Sequence, residues 1–197
     1  MTESKTSVSR CGWCGSEPIY VEYHDIEWGV PVRSSRELFE LVNLEGAQAG
    51  LSWITVLKKR KRYRQVFDQF DPQKMANYDE TKRAELLDDA GIIRNKLKVN
   101  AFIENSKAYL CMEEEGENFS DFIWDFVNGE PQINSSKAMS DLPAETPVSH
   151  AMSKALKKKG FRFVGPTICY AFMQAAGLVN DHTTDCFRWA ELQSANS

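Results

Sequence analysis

Two residues near the start of the chain and two near its end could make one soft-metal site. Cys11 and His24 come early, and the run Asp181-His182-Thr183-Thr184-Asp185-Cys186 places a His and a Cys four apart. Thiolate and imidazole are donors that zinc takes, and four of them close a tetrahedral shell. A closed shell leaves no position for water, so this set predicts a structural zinc that ties the two chain ends together. The spacing is not that of a local finger, and Cys and His also fill cores and helix caps.

Three further groups could do chemistry. Glu45, in Leu44-Glu45-Gly46-Ala47-Gln48-Ala49-Gly50-Leu51-Ser52-Trp53, continues the apolar stripe of Leu38 and Leu41. A carboxylate on an inward face is costly without partners. It is either paired with backbone or a Tyr, tilted out to water, or an acceptor inside an aromatic pocket. The segment Trp13 to Pro31 interleaves large aromatics with carboxylates, as in Pro18-Ile19-Tyr20-Val21-Glu22-Tyr23 and Glu27-Trp28. Such a density is ordinary for a core and also suits a slot for a planar base. Lys157-Lys158-Lys159-Gly160-Phe161-Arg162-Phe163-Val164-Gly165-Pro166-Thr167 reads as a helix stop, a tight turn and a new helix start. Glycines flanking that turn allow close backbone approach, and the second helix start exposes N–H groups that can hold a phosphate. The pattern fits a helix-hairpin-helix DNA clamp, and it also fits an ordinary αα-turn. The sequence contains neither a nucleotide-type phosphate loop nor a serine nucleophile elbow. His24, His150 and His182 are the only histidines, and no Lys lies in a clearly apolar stretch to form a Schiff base.

The elements that must position these groups are helical. Ser34 and Glu37 form a capping box ahead of a helix over 34–45. Helical spacing continues over 53–67, and Asp71-Pro72 is another start signal. A helix over 79–90 stops at Gly91. A longer one covers 95–114, with Leu97, Phe102, Ile103, Tyr109 and Leu110 as its apolar positions, and a short aromatic one covers 119–127. Residues 128–150, with Pro131, Pro143 and Pro147, read mainly as loop. Helices resume over 149–159 and 166–177. With no sustained period-2 pattern, the fold class is all-α.

The chain's 197 residues suit one large domain or two lobes sharing a core. No apolar run approaches a bilayer span, and the polar start lacks a signal-peptide core. An odd cysteine count of five favours a reducing, cytoplasmic setting over disulfides. A net charge of −4 does not advertise nucleic-acid binding, but basic residues cluster at Lys58–Arg64 and again at Lys154–Arg162. Each run is either a phosphate-binding face or a solvated helix face.

Together these pieces resemble the bacterial Tag-type family, 3-methyladenine DNA glycosylase I. The matching residues are Arg10-Cys11-Gly12-Trp13, Tyr23-His24-Asp25, Glu27-Trp28-Gly29-Val30-Pro31, Leu44-Glu45-Gly46 and Gln48 to Leu57. They continue through Asp89-Ala90-Gly91-Ile92-Ile93-Arg94, Gly160-Phe161, Phe163 to Thr167 and Gly177 to His182. The likeness runs from about residue 10 to 187. It implies an all-α helix-hairpin-helix glycosylase of two helical lobes over 10–187, with the hairpin at about 160–165. A disordered tail over 1–9 and a C-terminal tail over 188–197 would flank it. It implies structural zinc on Cys11, His24, His182 and Cys186, with Cys14 an extra thiol.

The implied activity is hydrolytic excision of 3-methyladenine after base flipping, leaving an abasic site for base excision repair. Glu45 matches the base-reading position, as recognition group or general base. Tyr20, Tyr23 and Trp53 match pocket aromatics, with Trp13 and Trp28 as pocket or support. Leu51 is the expected wedge, and Gly160, Phe161, Arg162, Gly165 and Thr167 are the expected DNA contacts. Asp181 stands near the catalytic Asp of the wider superfamily, and is also placed to orient the zinc site or cap a helix. With no lysine nucleophile the enzyme should be monofunctional, without lyase activity. The expected partner is double-stranded DNA containing alkylated adenine, with 3-methyladenine as product. The enzyme should act as a monomer and without a membrane. Two other classes fit parts of the pattern: a non-catalytic zinc-stabilised sensor of alkylated DNA, and a zinc hydrolase, which four protein ligands disfavour.

Overall fold

The computed structural model describes residues 8–194; residues 1–7 and 195–197, and the tails expected there, lie outside it. Ten helices are described: α1 (Pro18–Ile26), α2 (Ser35–Gln48), α3 (Trp53–Val66), α4 (Pro72–Met75), α5 (Glu80–Asp88), α6 (Lys96–Glu114), α7 (Phe119–Trp124), α8 (Pro147–Lys158), α9 (Pro166–Ala175) and α10 (Phe187–Ser194). Two strands, β1 (Gln132–Ile133) and β2 (Val179–Asn180), form one short parallel ladder.

Helix α2 is the centre. It packs against α3, α6, α7 and α9. From Val42 to Ala47 every residue is buried, so its second half is enclosed on all sides and not only along one stripe. Ser34 caps it by accepting from the Glu37 N–H, as the capping box predicts. Its start is partly exposed, and that is where the stripe was legible. The core around it is aromatic: Phe67 lies 4.9 Å from Phe102, and Phe119 stacks on Phe161 at 5.5 Å.

Most expected helices appear within a few residues of their predicted ends, and four differences are informative. Segment 18–26, read only as an aromatic cluster, is helix α1, started by Pro18 in its first turn. Leu97, expected on the buried stripe of α6, is exposed; it sits in the first turn, ahead of the packed face. Residues 188–194, expected as tail, belong to α10 (Phe187–Ser194), with Leu192 buried and the Trp189 indole donating to the Asn134 carbonyl. The β1–β2 ladder is two residues long, too short to leave a period-2 signal.

One corner depends on a missing side chain. At Gly177, after α9, φ is +71°, and a Cβ there would lie 2.4–2.6 Å from the backbone of Val30 and Pro31. The N-terminal segment crosses the end of α9 at this point, and the Val32 N–H donates to the Ala176 carbonyl. Only glycine leaves room for that crossing.

Candidate functional site

The four predicted ligands converge. Cys11 Sγ, His24 Nε2, His182 Nδ1 and Cys186 Sγ belong to one buried group whose ligand atoms all lie within 4.8 Å of one another. Cys186 Sγ is 3.4 Å from both ring nitrogens, and Cys11 Sγ is 3.4 Å from His182 Nδ1. The outer contacts settle which nitrogen faces the group. His182 Nε2 lies 3.0 Å from the Trp28 carbonyl, which only accepts, so the proton belongs there and Nδ1 keeps its lone pair. His24 Nδ1 lies 2.8 Å from Asp25 Oδ1. Arg10 grips that carboxylate through two nitrogens and holds its pKa below the usual range. Asp25 is therefore ionised and accepts from Nδ1–H, so the lone pair is on Nε2, where the Cys11 N–H approaches it at 3.3 Å and a metal could take it. The two buried thiols are coupled, and their mutual hydrogen bond pushes the Cys11 pKa up and the Cys186 pKa down. Both rings are thus oriented as a metal requires, and the group could hold a metal ion.

Cys14 is outside the cluster, with its thiol directed at the Gly15 carbonyl. Asp181 does not orient either histidine ring. It is buried, and its oxygens accept from Tyr170 Oη at 2.6 Å, Gln174 Nε2 at 2.8 Å and Asn134 Nδ2 at 2.6 Å. Asp25 and the Trp28 carbonyl take the orienting part instead.

Beside the cluster lies a cavity of about 180 Å³. The expected aromatics Trp13, Tyr20, Tyr23, Trp28 and Trp53 all line it, together with Glu45. Helix α2 ends at Gln48 and the chain turns through Ala49–Ser52 before α3 begins at Trp53. Glu45 and Trp53 therefore reach the pocket from two different helices. Trp13 and Trp28 rings are 4.9 Å apart, and Tyr23 and Trp53 rings 5.5 Å. Trp28 also packs at 4.6 Å on His182, and Trp13 at 5.3 Å on His24. Pocket wall and Cys/His cluster are one packed unit.

Glu45 is 2% exposed, and burial pushes its pKa up to about 8. Its Oε2 has no hydrogen-bond partner among the described residues, and neither do the buried indole nitrogens of Trp13 and Trp53. Buried polar atoms are nearly always paired, and exceptions need a reason. Here one acceptor and two donors without partners belong to residues lining the same cavity. The arrangement suits a flat, apolar-faced ligand with hydrogen-bonding edges.

Leu51 is 44% exposed, at the tip of the turn that follows the pocket, with Gly50 before it at φ +76°. The predicted turn between α8 and α9 is also present. The Phe161 N–H donates to the Leu156 carbonyl at the end of α8, and Pro166 opens α9. Gly165 and Thr167 are at the start of α9, and Arg162 is exposed. Phe161 departs from expectation as a DNA contact: its side chain is fully buried against Phe119, so only its main chain could meet a ligand. The turn abuts α2 directly. A Cβ on Gly46 would lie 3.1 Å from Phe163 Cβ, so the turn seats on the residue next to Glu45.

The two basic runs differ. On α3, Lys58, Arg60, Arg62 and Arg64 pair with Glu17, Glu27, Asp89 and Glu40, and Lys59 donates to the Ala90 carbonyl. Those side chains are committed inside the molecule, and Lys61 of the same run is exposed without an acidic partner among the described residues. Near the α8–α9 turn, Lys159 pairs with Glu115 and Glu117, while Lys154, Lys157, Lys158 and Arg162 have no acidic partner among the described residues.

Sequence reasoning missed Gln48, Met139, Leu142, Ala171 and Gln174, which complete the pocket lining. Gln48 is three residues past Glu45 on the same helix, a spacing that carried the signal. Met139 and Leu142 come from the 128–150 loop and had none. The β1–β2 ladder and the Ser136 carbonyl, which accepts from the Thr184 N–H, bring that loop to the pocket. One reading of the lysines also changes. Lys98, in no clearly apolar stretch, is buried in the fold, but it does not line the pocket.

A mostly helical frame encloses an aromatic pocket with an unpaired carboxyl, locked to a Cys/His cluster, and the shape and lining suit a flat ring. Residues 13–189 match the profile of the family described as methyladenine glycosylase. The chain belongs to that family. It is 57% identical over 179 residues to DNA-3-methyladenine glycosylase 1 of Escherichia coli (strain K12), covering 91% of this chain and 96% of the relative. It superposes on a crystal structure of 3-methyladenine DNA glycosylase I with a TM-score of 0.90, at 56% identity, over 91% of this chain and 98% of that one. A Tyr-to-Phe variant of 3-methyladenine DNA glycosylase I, solved in complex with 3-methyladenine, gives a TM-score of 0.87 at 35% identity, over 90% of this chain and 96% of that one.

Proposed function

We propose that this protein excises 3-methyladenine from alkylated duplex DNA by hydrolysing the N-glycosidic bond of a flipped nucleotide, leaving an abasic site for base excision repair. The observation that carries this reading is Glu45: a buried carboxyl without a partner, in an aromatic cavity, in a chain of this family.

Methylation at N3 gives the lesion a positive charge. The bond from N9 to C1′ then breaks with its electron pair going to the base, which leaves neutral. A water oxygen bonds to C1′ and gives up a proton, so the sugar keeps a hydroxyl. The leaving group is already good, and the protein's main work is to find, extrude and fit the base. Tyr20, Tyr23, Trp13, Trp28 and Trp53 wall the site, and aromatic faces favour a flat cation. Glu45 accepts from the exocyclic amino group. In the empty pocket its carboxyl is mostly protonated at neutral pH, given a pKa of about 8. A cation entering the pocket favours the ionised form, and the proton is lost to solvent. Neutral adenine offers no such compensation, which makes the carboxyl a charge filter.

Leu51 fills the gap left by the extruded base. The α8–α9 turn acts as the helix-hairpin-helix clamp: Gly160, Gly165 and the Phe161 main chain approach the backbone, while Arg162, Thr167 and the start of α9 hold phosphates. No lysine lines the pocket, so the protein is read as monofunctional, without lyase activity. It is read as a cytoplasmic monomer; among the described residues no helix is long and apolar enough to cross a membrane. Cys11, His24, His182 and Cys186 would hold zinc. When bound, it cross-links the chain ends and contributes on the order of 10 kcal/mol to folding.

The test is release of free base from methylated DNA by the purified protein, read by chromatography and by a gel for strand cleavage. Free 3-methyladenine with intact strands until alkali is added is the expected result. Binding without base release would overturn the enzymatic reading, and a nick without alkali or added lyase would overturn the monofunctional one.

A further inference from the structure

Lys98 is the only lysine buried among the described residues. Its ammonium donates to the Ala47 and Ala49 carbonyls, both at 2.7 Å. Burial lowers its pKa, and no acidic neighbour offsets that shift. A buried cation without a counter-ion is costly, and here only backbone dipoles compensate. Those dipoles are the negative end of α2, where a cation is favoured. Ala47 is in the last turn of α2 and Ala49 is its C-cap. Glu45 and Gln48 of that last turn line the pocket, and Gly50 and exposed Leu51 follow it. A single ammonium thus pins the turn that joins the carboxyl to the exposed leucine.

Asn105 lies seven residues further along α6, two turns on and on the same face. It is buried, accepts from the Arg162 N–H at 2.7 Å and donates to Asn43 Oδ1 at 2.9 Å. Helix α6 therefore grips two separate segments from one face: the turn after α2 through Lys98, and the α8–α9 turn through Asn105.

We propose that Lys98 is a positioning residue for DNA engagement: with Asn105 it makes α6 a strut that holds Leu51 in register with the α8–α9 turn. The inference rests on the reading that Leu51 enters the base stack of duplex DNA. Without Lys98 two carbonyls lose their donor, and the turn carrying Leu51 is free to shift. Small misplacements of a positioning group cost large factors in rate.

The experiment is a double-mutant cycle of Lys98→Met and Leu51→Ala, with Lys98→Arg as the conservative variant. It measures single-turnover base release at saturating duplex, affinity for free 3-methyladenine, and Tm. K98M is expected to slow release by at least about tenfold, while its affinity for the free base stays within about twofold of the parent. K98R, which keeps donors for both carbonyls, should recover most of the rate. On an L51A background the K98M effect should shrink to within about twofold, because the two act through one turn. Additive losses, or loss of free-base affinity in step with rate, would overturn the proposal and leave Lys98 a stability residue. Full activity of L51A alone would instead overturn the wedge reading beneath it. Should K98M fail to fold, Lys98→Ala, which also removes the donor but leaves space for water at the two carbonyls, enters the same cycle under the same criteria.

Discussion

Replacing Glu45 with Gln should stabilise the empty protein at neutral pH and weaken its selection for the charged base. The carboxyl is fully buried, and its pKa rises from 4.5 to about 8 through desolvation alone. A raised folded pKa means the folded state binds more protons than the unfolded chain. The stability is therefore intact below pH 4.5, falls as pH rises towards 8, and is level above that. The full shift corresponds to about 5 kcal/mol, of which about 3 kcal/mol is lost by pH 7. Glutamine has nearly the same shape and never ionises. E45Q should therefore gain up to about 3 kcal/mol over the parent at pH 7 and nothing at pH 4.5. This is an upper bound, because water entering the pocket solvates the carboxylate. Denaturant unfolding of both proteins from pH 4.5 to 9 measures the difference. The same substitution removes the only anion the pocket can offer a cation. Charged hydrogen bonds of this kind contribute about 1.5–3 kcal/mol, so discrimination between methylated and normal adenine should fall about ten- to hundredfold. Parallel stability–pH curves for the two proteins would refute the buried-carboxyl argument. Unchanged discrimination would refute its role in recognition. A large loss of rate at saturating DNA would make Glu45 a catalyst as well.

Cys186→Ala should lower Tm and abolish stoichiometric metal while base release persists below the new Tm; metal analysis beside a melting curve checks both, and lost activity in a folded variant would give the metal a chemical part. Gly177→Ala should destabilise by about 2–5 kcal/mol, because a left-handed residue and a backbone clash coincide there; a shift under about 1 kcal/mol in denaturant titration would show that the Val30–Pro31 crossing can move. Neutralising Lys157 or Lys158 should reduce the slope of log affinity against log salt by about one each, whereas Arg62→Gln should leave it unchanged, since Arg62 is paired with Asp89.

Legibility followed the range over which each signal acts. Caps and breakers act within a turn, so the Ser34 cap and the Pro166 start were readable, and the helices they bound appear where expected. The four metal-type residues were readable because their chemistry is rare, although Cys11 and His182 are 171 positions apart. Readings that depended on packing fared differently. Leu97 and Phe161 have the residue types expected for a core stripe and an exposed turn, and the fold exchanges those environments. The same limit applies to charge: nothing local distinguishes Lys58–Arg64 from Lys154–Arg162, but most of the first run meets carboxylates from α1, α2 and α5 and their flanks, and most of the second does not. Met139 and Leu142 reach the pocket only through a two-residue ladder to β2, which no periodicity could reveal.

The link between the Cys/His cluster and the pocket is physical contact, so a change in one is felt in the other. Trp28 gives its carbonyl to His182 and its ring to the pocket wall, and Trp13 packs on His24 while facing the same cavity. Loosening the cluster would therefore move two walls of a site that depends on leaving Glu45 dry. A dry carboxyl is costly to keep: by the figures above, Glu45 alone offsets about 3 kcal/mol of a stability that is typically 5–15 kcal/mol. A cross-link between chain ends compensates for that cost at the place where it arises. On this argument, metal removal and E45Q are coupled. Chelation loosens the pocket walls and lets water reach the ionised carboxylate, which relieves part of the cost at pH 8. The parent should therefore lose less Tm on chelation at pH 8 than E45Q does, whereas at pH 5, where the carboxyl is protonated, the two losses should match. Chelator-induced shifts in Tm for both proteins at the two pH values decide it, and equal losses in both proteins at pH 8 would separate the pocket from the cluster.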